Sequence, residues 1–169
     1  MIVRLATVAD AEPIERIRVR GWQEAYRHVF PPHELDAMEV DRARFEPELA
    51  EPKPGRTCFV AEENGRVLGW ALVGPNASAE QGELHGLYVD PDSWSKGVGR
   101  ALIQRAEAEL ETMWDEAILW TLEDNLRTRR FYERAGWKAD GMRGSLPRFG
   151  VDAPVVRYRK RLSSSRSRS

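Results

Sequence analysis

Between Val89 and Ile103 the chain reads VDPDSWSKGVGRALI, and here residue types and spacing first suggest chemistry. Gly97 and Gly99 remove side chains where a helix begins, so backbone N–H groups can approach an anion closely. Lys96 and Arg100 add positive charge beside them. A phosphate-bearing ligand fits such a turn, because the first amides of a helix have no partners within it. The competing reading is that the glycines serve only the turn. The dinucleotide fingerprint is not met, since it wants a further glycine three residues on. Upstream, Glu83 and His85 set a carboxylate and an imidazole two residues apart, on one face of a strand by simple alternation. The imidazole has the intrinsic pKa better suited to proton transfer near neutrality, yet either residue is equally ordinary at a strand edge. No metal is implied, because His28, His33, His85 and the single Cys58 form no ligand spacing.

A turn of this kind needs rigid elements to hold it. Met1–Ala6 reads as a short strand, and Thr7 and Asp10 supply helix-starting oxygens with Pro13 acceptable in the first turn. Ile14, Ile17, Gly21 and Ala25 carry that helix to about His28, where Pro31-Pro32 break it. A second helix is expected from about His33 to Leu49, with Pro47 near its end. Thr57–Glu63 and Arg66–Val73 flank Asn64-Gly65, the signature of a two-residue hairpin. Glu83–Val89 is a strand stopped by Asp90-Pro91, and Gly97–Met113 a helix with Val98, Leu102, Ala106 and Leu110 on one face. Ala117–Leu122 is a near-continuous apolar run, as in a strand covered on both faces. Asn125–Ala135 forms a last helix closed by Gly136, followed by strands near Trp137–Gly144 and Pro154–Leu162. Strand, helix, strand from Glu83 to Leu122 makes a right-handed parallel crossover inside an otherwise antiparallel sheet. The expected class is α/β (α+β), a mixed and mostly antiparallel sheet of about seven strands flanked by helices.

The 169 residues fit one domain, 1–162, followed by the Ser/Arg-rich tail 163–169. One cysteine excludes an internal disulfide framework. No apolar run approaches the ~20 residues of a membrane span, and the first residues lack the apolar block of a signal peptide. A cytoplasmic protein without membrane contact is expected. The net charge of −1 hides an asymmetry: six basic side chains fall between residues 157 and 168, leaving 20 bases against 27 acids elsewhere. An acidic body argues against a nucleic-acid partner. The tail, SSSRSRS, reads either as a solvated terminus or as a short arginine–serine tract.

A second motif, EDNLRTRRFYERAGW from Glu123 to Trp137, completes the pattern. Together the two segments resemble the GCN5-related N-acetyltransferase (GNAT) superfamily. Its loop reads Q/R-x-x-G-x-G/A, and its following motif reads N-x-x-A-x-x-F/L-Y-x-x-x-G-F. Asn125, Tyr132 and Gly136 fall on the second pattern, with Thr128 for alanine and Trp137 for phenylalanine. The resemblance covers about residues 1–162, since the hairpin, the ELHGLYVDP strand and the order of elements agree. One position departs: Trp94 stands where the loop usually has glutamine or arginine, so a side-chain contact to the pyrophosphate is lost and Lys96 or Arg100 is left to replace it.

The resemblance implies acetyl-CoA as cosubstrate, lying in a V-shaped split where the strand ending at Val89 leaves the one ending at Leu122. It implies main-chain contacts to pantetheine from Leu87, Tyr88 and Val89, with the Val89 amide stabilising the oxyanion. The phosphate cradle would run through Lys96, Gly97, Val98, Gly99, Arg100 and Ala101. Tyr132 would be the general acid toward the departing thiolate, or a buried anchor for its helix. Asn125 is an N-cap, a cofactor contact or both, and Arg129 and Arg130 are candidates for the 3′-phosphate. Glu83 is the expected general base and His85 the rival, with Glu83 on the face of Val89 provided no bulge intervenes near Gly86. Trp22 and Tyr26, at helical spacing with Phe30, are either a core stripe or the acceptor wall. Glu24, His28, Glu34 and Asp36 could attract a cationic amine. The implied activity is N-acetyl transfer to a primary amine of a small molecule or peptide by direct attack in a ternary complex, with a homodimer conceivable. The alternatives are a catalytically silent acyl-CoA-binding regulatory module and, through the tail, a nucleic-acid-associated protein.

Overall fold

Asn64 and Gly65, at φ 51° and 74°, turn the chain back on itself and pair β2 (Thr57–Glu63) with β3 (Arg66–Pro75). Positive φ at both positions is what a two-residue turn needs to match the twist of its strands. The computed structural model describes residues 1–162, so the Ser/Arg tail lies outside the described residues. To that hairpin it adds β1 (Ile2–Leu5), β4 (Gly82–Val89), β5 (Glu116–Leu122), β6 (Lys138–Arg148) and β7 (Val151–Arg161). The seven strands form one sheet in the order β1-β2-β3-β4-β5-β7-β6. Every neighbouring pair is antiparallel except β4 and β5.

Helices cover both faces. α1 (Ala11–Ala25) sets Ile14 and Ile17 against Val60, Trp70 and Leu72. α4 (Val98–Leu110) drives Val98, Leu102, Ala106 and Leu110 into the opposite face, against Phe59, Ala71, Val73 and Leu84. α5 (Leu126–Arg134) joins that second layer through Phe131 and Tyr132. At the entry to α1, burial works against the charge of the Asp10 carboxylate, but the bonds from the Arg4 guanidinium and the Thr7 amide outweigh it and hold Asp10 below the ordinary range.

The expected helix from His33 to Leu49 does not exist as one element. It is α2 (Pro32–Asp36), a 3₁₀ turn at Arg42–Arg44 and α3 (Glu46–Ala50). Pro47 sits in the first turn of α3, where a missing N–H costs nothing, and so begins that helix instead of ending the longer one. The Asp41 carboxylate accepts the Ala43 N–H and starts the 3₁₀ turn. The last two strands are longer than expected, eleven residues each, and are joined through Phe149 and Gly150 at positive φ.

The feature that shapes the site is where β4 parts from β5. Only Gly82, Glu83 and Leu84 pair with β5, opposite Ala117, Ile118 and Leu119. The next residue, His85, is extra: Leu72 of β3 faces Gly86 while Val73 faces Leu84. A bulge bends its strand and adds twist, and the strands separate from this point on. The bulge also overturns the alternation that put Glu83 on the face of Val89. Leu84, Leu87 and Val89 all pack toward α4, while Tyr88 packs toward α1. Glu83 is therefore on the side of Tyr88.

Candidate active site

The split exposes backbone. Asp90 N–H donates to Leu68 O at 2.8 Å, so by antiparallel alternation Tyr88 and Asp90 turn to β3. Leu87 and Val89 then present their amides to the other edge, where β5 has withdrawn. The Val89 carbonyl on that edge accepts the Trp94 indole N–H at 2.9 Å. Its N–H faces the split. Asp90, buried directly after it, takes Arg20 from α1, Arg66 from β3 and the Asp92 amide, and so fixes the end of the strand.

A cavity of about 1380 Å³ opens here, running from the N-termini of α4 and α5 to the end of α1 and the β6–β7 hairpin. Gly97 caps α4 at φ 87° with no side-chain cap, and the first amide to bond back into the helix is that of Ala101. A side chain at such φ costs roughly 1–2 kcal/mol, so glycine is required there by conformation. At Gly99 a Cβ would lie 3.3 Å from the Phe131 ring, a tight contact that the ring would have to shift slightly to admit. Gly97, Gly99 and Arg100 line the cavity. Lys96 does not: its ammonium donates to Asp92 O at 2.9 Å and borders a separate recess beside Met1 and Glu63. Val98 is buried in the core and, like Lys96, borders the separate recess and not the cavity.

Three phenols gather near the apex. Tyr132 is buried yet lines the cavity, and burial, reinforced by Tyr88, raises it above the ordinary phenol range. Tyr26 is raised well above its ordinary value, first by burial and then by the neighbouring Tyr88 and Tyr132. The Tyr88 hydroxyl accepts the Trp22 indole N–H at 3.1 Å, and its ring stacks on Trp70. Asn125 accepts the Thr128 amide as N-cap of α5 and also lines the cavity.

His85, not Glu83, lines the cavity. Its Nδ1 lies 2.9 Å from Glu83 Oε2 and its Nε2 3.0 Å from the Pro75 carbonyl. Two acceptors against two ring nitrogens need two protons for both contacts to be hydrogen bonds, so ring and carboxylate act as one unit.

Trp22 and Tyr26 belong to the core cluster and also reach the cavity. They stack within a cluster that includes fully buried Phe30, and both line the cavity with Glu24 and His28. Asp36 pairs with Arg27 and Glu34 with His33, away from it. Arg129 bonds to the Tyr158 hydroxyl and the Glu123 carbonyl, and it is Arg127 and Arg134 that α5 turns to the cavity. Trp120 was hidden in the apolar run of β5, whose expected double cover fails at this residue. It is 38% exposed on the cavity wall, with Gly144 close against its ring and Ser145 and Leu146 beside it. A lone tryptophan in an otherwise aliphatic run was the signal available. Among the described residues no cluster of three or more His, Cys, Asp or Glu could hold a metal ion, and no helix is long and apolar enough to cross a membrane.

A split parallel pair, an uncapped helix N-terminus at its mouth and a phenol at its apex define the class: the fold and site are those of an acetyltransferase. The model of the acetyltransferase (GNAT) family matches residues 19–137, and the chain belongs to that family of N-acetyltransferases. It is 27% identical over 161 residues to a Mycobacterium tuberculosis protein named "Probable N-acetyltransferase Rv2775", covering 93% of this chain and 91% of that one. It is 30% identical over 128 residues to the uncharacterized N-acetyltransferase YuaI of Bacillus subtilis, covering 73% and 72%. The fold matches that of YncA from Salmonella typhimurium, solved with its cofactor acetyl-CoA, at a TM-score of 0.77 and 22% identity over 100% of this chain and 98% of that one.

Proposed function

We propose that this acetyltransferase moves the acetyl group of acetyl-CoA to a primary amine of a small molecule or peptide, by direct attack in a ternary complex. The observation that carries this reading is the Val89 amide, left without a strand partner in a cavity that Tyr132 also lines. Acetyl-CoA fits the residues present. The exposed edge of Leu87 and Val89 suits the pantetheine amides, and the bare α4 N-terminus with Arg100 suits a diphosphate. When bound, it supplies an activated thioester carbonyl.

The chain's own groups then divide the work. The Val89 N–H donates to the carbonyl oxygen as charge gathers there. Tyr132, kept protonated through the neutral range by burial, donates to the departing sulfur. His85, as the neutral ring with its Nδ1–H on Glu83, takes at Nε2 the proton the amine must lose before or as it attacks, and the new N–H then donates to the Pro75 carbonyl. This revises the order expected from sequence: Glu83 becomes the positioning residue and His85 the group that faces the acceptor. Trp22, Tyr26 and Trp120 give that end of the cavity an aromatic lining, with Glu24 and Asp124 as carboxylates on its wall. Such a wall favours an amine carried on an apolar or aromatic body.

The test is thiol release from acetyl-CoA against a panel of polyamines, amino acids, aminoglycosides, arylalkylamines and peptide N-termini, with product mass confirming one added acetyl group. Release stimulated by at least one amine supports the reading. Binding of acetyl-CoA with no stimulated release by any amine would leave a binding module and overturn it.

A further inference from the structure

The family pattern has glutamine or arginine where this chain has Trp94, and the structure shows what the indole does instead. Trp94 is anchored through its N–H to the Val89 carbonyl, and on its ring lies the Arg127 guanidinium, 4.0 Å from the centroid. We propose that Arg127, held on Trp94, binds the diphosphate of the acyl donor together with Arg100 and the α4 N-terminus. This rests on the reading of acetyl-CoA as that donor.

Four observations support it. Arg127 and Trp94 line the same cavity as Gly97, Gly99 and Arg100, at the mouth formed by the two helix N-termini. Among the described residues Arg127 makes no hydrogen bond or ion pair, whereas Arg129 two positions on is engaged twice. Its position is electrostatically wrong for a helix: a cation in the first turn of α5, which has no acid there, opposes the positive end of the dipole. Finally, one face of its guanidinium rests on an indole and no carboxylate while the residue stays exposed, and the partial desolvation lowers its affinity for its proton from the ordinary value. An unpaired cation placed against local preference at an anion-binding mouth answers to an anion from outside. Of the two residues expected to replace the missing side chain, Arg100 lines the cavity, whereas Lys96 is turned to Asp92 O on the far side of the loop.

The stack also explains a tryptophan at this position. A guanidinium is planar and can lie flat on an indole while its edge N–H groups remain free to bond to phosphate oxygens. The same indole ties down the Val89 carbonyl, so the diphosphate clamp and the amide that faces the thioester share one support.

The experiment is equilibrium binding of three probes: coenzyme A, 3′-dephospho-coenzyme A, which keeps the diphosphate, and acetyl-pantetheine, which lacks it. Wild type is compared with Arg127→Gln, Arg127→Lys, Trp94→Leu and the double variant Trp94→Leu/Arg127→Gln. Arg127→Gln is expected to weaken coenzyme A about tenfold or more, as loss of a charge-assisted contact does. The same factor should appear with the dephospho form and vanish with acetyl-pantetheine. Arg127→Lys should fall between, and Trp94→Leu should weaken coenzyme A but add little once Arg127 is gone. A loss seen with coenzyme A and absent with the dephospho form would move Arg127 to the 3′-phosphate and overturn the assignment. So would coenzyme A binding by Arg127→Gln within about twofold of wild type. Wild type that binds none of the probes would overturn the donor reading itself, a result separable from the other two.

Discussion

The two ends of the cavity are built from different materials. At the donor end the ligand-facing atoms are mostly main chain: the Val89 amide, the edge of Leu87 and the first turn of α4. At the proposed acceptor end they are side chains from four separate regions: Trp22 of α1 with Tyr26 just past its end, His85 of β4, Trp120 of β5 and Leu146 of β6. Backbone geometry is fixed by fold and by a few glycines, so many sequences can keep the first end. The second end changes with any one of its residues. An enzyme built this way can hold its acyl donor constant while its amine changes, and the two ends should respond separately to mutation.

The largest effect should fall where the ends meet. Tyr132→Phe keeps the ring and removes the donor to the leaving sulfur, so kcat is expected to fall ~10²–10⁴-fold while donor affinity stays within about twofold. Steady-state kinetics beside direct donor binding checks this. A matching loss of donor affinity would mean that the phenol belongs to the donor end alone.

Next in size is the proton acceptor. His85→Gln should lower kcat/KM about 10²-fold and flatten the ascending limb of its pH profile. Glu83→Gln, which leaves the imidazole in the cavity but loses its partner, should cost about tenfold and displace that limb without removing it. The reverse ranking would restore Glu83 as the base and make His85 its spacer.

Trp120→Ala sharpens the separation from the acceptor side. It is expected to raise the KM for the amine about tenfold, with the donor Kd unchanged, since an aromatic wall is lost at one end only. A shift in donor Kd of the same size would show the ends to be coupled.

The smallest effect lies outside both ends and serves as a control. Burial pushes the Cys58 thiol up to about 12, helped by the charges of Glu48 and Asp10. It should resist thiolate-directed alkylation at pH 8 in the native protein and react once the chain is unfolded in urea. The raised value contributes stability in full below the ordinary thiol value of 9.0 and loses it as pH climbs toward 12. Native labelling that keeps pace with the unfolded chain would mean that the sheet opens at Cys58.

What could be read from sequence divides along the same line. Gly97 and Gly99, and Asn125, Tyr132 and Gly136 at their spacing, could be read because backbone sites impose local rules on residue type. The Asn64-Gly65 turn and the stripe of α4 followed from dihedral and periodicity arguments of the same local kind. The bulge at His85 could not be read, because an extra residue leaves alternation intact on paper and reverses it in space. Lys96 was misjudged because a long flexible side chain can go to either side of its loop. Trp120 and Leu146 were missed because the wall they form exists only once β5, β6 and β7 are assembled, and the helix from His33 failed because one proline was taken as a stop and not a start.

The three residue pairs that join β4 to β5 give the sheet the mechanics of a book with a short spine. One leaf is β1 to β4 and the other β5, β7 and β6, each sewn internally by ladders of four to eight pairs. Opening along the spine breaks the fewest bonds, so this seam sets the cheapest large-scale fluctuation of the sheet. A pantetheine chain bonded into the split acts as a missing page, and amide exchange in Gly82–Leu84 and Ala117–Leu119 should slow most when it is in place.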